Sequence, residues 1–150
     1  MNKTISAPPP SRGFRNNNPF NIIKSKHPWI GKLENNTDGV FEQFCDLKYG
    51  IRAGVKLLIN YINKGYNTPR KIIHRFAPSH ENDVRAYCKY ISVSLPLDVR
   101  ITNCSQLVKL CVAICDFENG IHLLHKVRSN DVINAIREFK LNTYNLVRDI

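Results

Sequence analysis

The chain has 150 residues, 43% of them hydrophobic, and 22 Lys and Arg against 12 Asp and Glu give a formal charge of +10. A chain of this size buries roughly 70% of its unfolded surface in one domain, and the composition excludes disordered, collagen-like and low-complexity architectures. A membrane-spanning helix needs about 18 nearly uninterrupted apolar residues, and the most apolar stretch, residues 107–117, is broken by Lys109 and Asp116.

The first residues, MNKTISAPPPSRG, lack the apolar run of a secretory signal. Delivery beyond the cytoplasm is therefore expected through lysis, a particle or an injection machine. Residues 1–11, with Pro8, Pro9 and Pro10, read as a flexible tail, and 12–150 as a single domain. From Arg12 to Phe44 the punctuation is dense, and short strands around turns are expected. The best hairpin pairs 29–33 with 40–44 across Asp38-Gly39, residues that tolerate positive φ.

After Gly50 the apolar period changes to that of a helix, with Ile51, Val55, Leu58, Ile59 and Ile62 on one face and Gly65 as its stop. A short helix over 69–76 follows, with Thr68 as cap and Pro69 at the first helical position. Ser79 can cap a third helix on Val84, Tyr87, Cys88 and Ile91, which ends before Pro96. A fourth, over about 105–118, has Asn103 and Gln106 at capping-box spacing and is apolar nearly all round, so it belongs in the middle of the domain. Gly120 suits its C-terminal turn. A fifth runs over about 130–140 with Ser129 as cap, and a short terminal turn follows. The fold class is thus mainly α, with a small hairpin.

Cys45, Cys88, Cys104, Cys111 and Cys115 contain no CxxC pair and no zinc spacing, so neither a metal nor a cofactor is expected. The last three recur at helical spacing among Leu and Val and read as small buried side chains of a protein folded in a reducing cytosol.

Glu118 closes the most apolar helix, immediately before Asn119-Gly120. Apolar surroundings and the negative end of the helix dipole both disfavour its ionised form. A carboxyl group that stays protonated near neutral pH is what a glycosidase general acid must be. A plain surface Glu at a frayed helix end is the alternative. In RGFRNNNPFNI, residues 12–22, Asn17, Asn18 and Asn21 with Arg15 offer donors and acceptors for sugar hydroxyls and N-acetyl groups, or else a turn whose amides serve its own backbone. Trp29, the one tryptophan, is a stacking platform for a sugar ring or a core aromatic. Tyr66 and Tyr87 are candidate cleft residues. Glu81-Asn82-Asp83 is explained by the dipole of the helix it opens, with Arg75 or Arg85 as partners. His74, His80, His122 and His125 lack a nucleophile or metal spacing and read as surface residues.

Five separated blocks, RGFRNNNPFNI, WIGKL, DGVFEQF with YGIRAG, APSHENDVRAY and AICDFENG, stand in this order over residues 12–120. Together they resemble a family of bacteriophage virion-associated peptidoglycan hydrolases. The resemblance implies a lysozyme-like helical domain that cuts cell-wall glycan strands as a hydrolase or lytic transglycosylase. Glu118 would be its acid, and Asp38 a second carboxylate or a turn former, with Glu34 and Glu42 on the same hairpin. Phe117 stands where the family has His, and Phe20 where it has Gly. The same blocks resemble flagellar and autolysin glucosaminidases in rotated order. A circular permutation is therefore expected, with Glu118 facing the segment from Asn17 to Asn21. Peptidoglycan is then the expected partner, with other virion proteins beside it. The rival reading is a non-catalytic virion or nucleic-acid-associated protein, and a third is an injected toxin of the same chemistry.

Overall fold

The computed structural model describes residues 9–77, 83–121 and 124–147. It is mainly helical: α1 (Arg12–Arg15), α2 (Leu47–Asn63), α3 (Pro69–Phe76), α4 (Val84–Ser92), α5 (Cys104–Asn119) and α6 (Ser129–Glu138), then a 3-10 turn (Tyr144–Val147). The expected centrality of the apolar helix holds. α5 packs against α1, α4 and α6, and Leu107, Leu110, Cys111 and Ile114 on it are fully buried. α2 lies along α6, and α3 along α4. All five cysteines are free thiols. Burial pushes those of Cys111 and Cys115 up, which keeps them protonated and inert.

The local chemistry explains the helix ends. Asp46 accepts from the Lys48 amide at 3.0 Å, so α2 begins one turn before Gly50. Thr68 caps α3 through the Lys71 amide, as expected. Asp83, rather than Ser79, caps the described α4 by accepting from the Ala86 amide; Ser79, Glu81 and Asn82 lie outside the described residues. At α5 the Asn103 side chain accepts from Gln106 N–H, while Gln106 reaches back to the Thr102 amide at 2.7 Å, one residue beyond an ordinary capping box. The cap of α6 is Arg128 and not Ser129, because the Asp131 carboxylate takes the Arg128 amide at 2.7 Å.

Residues 12–44 depart most from expectation. Arg12–Arg15 form one helical turn, capped by the Ser11 hydroxyl. The 29–33 with 40–44 hairpin reduces to a single bridge, Lys32 with Phe44, and a second bridge joins Ile23 to Phe41 on the other side of the same segment. Backbone bonds flank each bridge: the Leu33 and Cys45 amides donate to the Gln43 and Gly31 carbonyls at 2.8 and 2.9 Å, and the Lys24 and Glu42 amides to the Val40 and Ile22 carbonyls, both at 2.9 Å. Side chains serve the turn between them, where Gln43 accepts from the Thr37 amide at 2.8 Å and Asn36 from the Gly39 amide at 2.7 Å.

Two glycines let this segment lie on α2. A Cβ at Gly50 would overlap the Asn17 carbonyl, and one at Gly54 would fall within the Phe20 ring. Phe20 is fully buried. The bulky residue after Pro19 is thus accommodated by a notch in α2. Gly54→Ala is expected to lower stability by about 1–3 kcal/mol through overpacking, measured as an earlier denaturant midpoint. Phe20→Ala in the same background should recover part of that loss.

Candidate active site

Glu118 sits in the last turn of α5, half buried. Its Oε1 accepts from Asn21 Nδ2 at 3.1 Å, and its backbone carbonyl faces the same amide at 3.4 Å. Next to it, Asn119 is a clamp. Its Nδ2 donates to the carbonyls of Pro19, at 2.7 Å, and Cys115, at 2.8 Å, while its Oδ1 accepts from the Ser11 hydroxyl at 2.7 Å. The end of α5 and the RGFRNNNPFN segment therefore meet directly, through Asn21, Pro19 and Ser11.

Asn21 adopts left-handed backbone, φ 51°, which Asn tolerates better than other side chains. That conformation turns its amide toward Glu118. Asn21→Gly keeps the backbone and removes the amide. It is expected to slow the reaction proposed below about tenfold, the scale of one hydrogen bond to a charged group, with the melting temperature checked alongside the rate.

Glu118 and Asn21 line a cleft of ≈ 900 Å³. One wall comes from the loop carrying Ser25, His27 and Trp29, and another from Leu57, Asn60 and Tyr61 of α2 and its C-cap Lys64, with Arg75 and Phe76 at the end of α3. Trp29 is 9% exposed and packs against His27 with ring centroids 4.2 Å apart, so it is a wall as well as a core residue. Behind Glu118, Tyr87 is fully buried and stacked on Phe117 at 3.9 Å between centroids. Burial first, and the neighbouring Glu118 charge second, push the Tyr87 phenol well above its usual range, which keeps it neutral. Phe117, where the resembling family has His, thereby dries the rear of the site.

The other expected residues are placed elsewhere. Asn18 is fully buried and serves the backbone: its Nδ2 donates to the Ile22 and Glu42 carbonyls, both at 3.0 Å, and its Oδ1 accepts from the Ile22 amide at 3.0 Å. Asn17 donates to the Phe44 carbonyl at 3.0 Å, and Arg15 to that of Pro10 at 2.8 Å. These three build the loop that presents Asn21 and do not line the cleft. Pro10 and Ser11 are consequently fastened to the domain, although the sequence placed them in the tail. Tyr66 is 38% exposed and lies edge-on to Tyr61, beside the cleft.

Asp38 is held away from the cleft by five donors. Arg12 binds it at two atoms, both 2.8 Å, Asn16 Nδ2 at 2.9 Å, and the Val40 and Phe41 amides at 3.1 and 2.8 Å. The Arg12 guanidinium foremost, and the amides with it, hold its carboxyl well below the usual carboxylate range. Glu42 is fully buried, its Oε2 3.1 Å from Lys32 Nζ, and Glu34 is exposed. Among the described residues, no group of three or more His, Cys, Asp or Glu could hold a metal ion.

The α2 wall escaped sequence reading. Its signal was present, since 57, 60, 61 and 64 recur at helical spacing, but Leu, Asn, Tyr and Lys are too mixed to register as a stripe.

Fold and site together define a helical domain in which a carboxyl group, braced by an asparagine, lines a cleft. No protein-family model matches the chain. Over 116 residues, covering 73% of the chain and 72% of its relative, it is 35% identical to Protein P5 of Pseudoalteromonas phage PM2. The chain belongs to the family of that bacteriophage protein. No helix among the described residues is long and apolar enough to cross a membrane.

Proposed function

We propose that this phage-family protein cleaves the glycan strands of bacterial peptidoglycan, on a permuted lysozyme-like arrangement, with Glu118 as general acid. The observation that carries the reading is the Asn21 to Glu118 contact at 3.1 Å on the wall of a cleft of ≈ 900 Å³. The order of blocks in the sequence and the phage relative support it.

Asp38 is taken up by Arg12 and the turn amides. The route that fits needs only one carboxylate, that of a lytic transglycosylase. Glu118 protonates the glycosidic oxygen as its bond to C1 breaks. The muramyl 6-hydroxyl then closes on C1, and its proton returns to the carboxylate. The protein would act at the cell wall, carried by a virion or released at lysis, with the surplus of positive charge holding it near an anionic envelope.

Purified sacculi incubated with the protein should release soluble muropeptides with anhydro ends, read by mass spectrometry. Reducing ends would mean hydrolysis. No release at any pH or salt concentration would overturn the enzyme reading in favour of a structural virion role.

A further inference from the structure

We infer that the α2 and α3 side of the cleft is a subsite for carboxylate-bearing peptide substituents on the glycan, an inference that rests on the function proposed above. Arg75 lines the main cleft and also an adjoining hollow of ≈ 350 Å³ that it shares with Tyr66, Arg70, Lys71 and His74. Its guanidinium lies over the rings of Tyr61, at 5.5 Å, and Tyr66, at 5.9 Å. Two aromatic faces fix the planar fork before any ligand arrives, so less side-chain entropy remains to be lost on binding.

The neighbouring cations are not equivalent. Arg70 is committed to Asp98 through bonds of 2.8 and 3.1 Å, and His74 Nδ1 is bonded to the Arg70 carbonyl at 2.8 Å. Arg75 and Lys64 have no carboxylate partner among the described residues, and both open into the cleft that holds Glu118. A polysaccharide of neutral amino sugars gives two such cations nothing to pair with. In peptidoglycan the negative groups are the carboxylates of the peptide attached to the lactyl ether, and the tyrosine rings offer its aliphatic parts an apolar bed. A nucleic-acid strand fits less well, because its evenly spaced phosphates call for a row of cations and the cleft lining offers two, Lys64 and Arg75.

The test compares peptide-bearing glycan with the same strands stripped of peptide by an amidase, the lactyl carboxylates that this hydrolysis frees being capped as simple amides so that the stripped strands are neutral. Wild type is expected to favour the peptide-bearing form. The ratio of kcat/KM for the two substrates should fall about tenfold in Arg75→Gln/Lys64→Gln, the scale of a charge-assisted pair, and recover in part in Arg75→Lys/Lys64→Arg. Glu118→Gln provides a binding readout without turnover: adding the two substitutions to it should weaken binding of a soluble disaccharide-peptide more than that of the disaccharide whose lactyl group is capped as a simple amide. A ratio unchanged in a folded, active double variant overturns this subsite and leaves the proposed function standing. Wild type that cleaves neither substrate overturns both. An unchanged ratio accompanied by weaker, salt-sensitive retention of duplex DNA assigns these cations to nucleic acid and overturns the peptide subsite.

Discussion

Glu118→Gln is expected to slow glycan cleavage by about 10²–10⁴-fold, the range that a positioned general acid contributes, while leaving the melting temperature nearly unchanged. The amide cannot supply a proton, yet its carbonyl oxygen can still accept from Asn21 Nδ2, the bond that Glu118 Oε1 makes at 3.1 Å. The clamp next to it, from Asn119 to Pro19 and Ser11, does not involve the substituted group. Rate and stability are thus separable at this position. The check is muropeptide release from sacculi at equal concentrations of folded protein, with thermal melts in parallel. A variant with wild-type rate would remove Glu118 from the chemistry, and one that is merely unfolded would show in the melt.

Asp38→Asn is expected to have the opposite signature, a large loss of stability of roughly 2–3 kcal/mol from weakening a charge-assisted set of hydrogen bonds. The Asp38 side chain is 8% exposed, while Arg12 is 46% exposed. The hydrogen bonds from Arg12, Asn16 and the turn amides, in that order, therefore matter more than the solvent-screened Coulombic attraction. The pH dependence follows from the depressed pKa of the folded state. Asp38 contributes its full stabilisation above its unfolded pKa of about 3.9, and that contribution is lost as pH falls below this value toward the folded pKa. Denaturant midpoints of wild type and Asp38→Asn should therefore be furthest apart near neutrality and converge in acid below about pH 4. A constant gap across that range would refute the assignment.

The two carboxylates show what a sequence carries and what it does not. Glu118 could be picked out because helical period, apolar neighbours and the following Asn-Gly are all local. The fate of Asp38 depends on Arg12, 26 residues away, and no periodicity reports that pairing. The asparagine segment was recognisable as a polar device, but residue type alone could not separate Asn21, which reaches Glu118, from Asn18, which is spent on the Ile22 and Glu42 backbone. Helices α3 and α5 were legible because their stripes and caps agree, and α2 by its stripe and its Gly65 stop, although its Asp46 cap and first turn were not. The 12–44 region was not, since its pairing is limited to two isolated bridges, too short to show as alternation.

The contact between Asn21 and Glu118 spans 97 residues, and that between Ser11 and Asn119 spans 108. Closing so long a loop carries an entropic cost that only the assembled core can offset. During synthesis the asparagine segment leaves the ribosome first and waits, without its partner, until the end of α5 has emerged. An incomplete chain therefore has no braced Glu118 and no finished cleft. Both are assembled only once nearly the whole described domain exists, as a late event in folding.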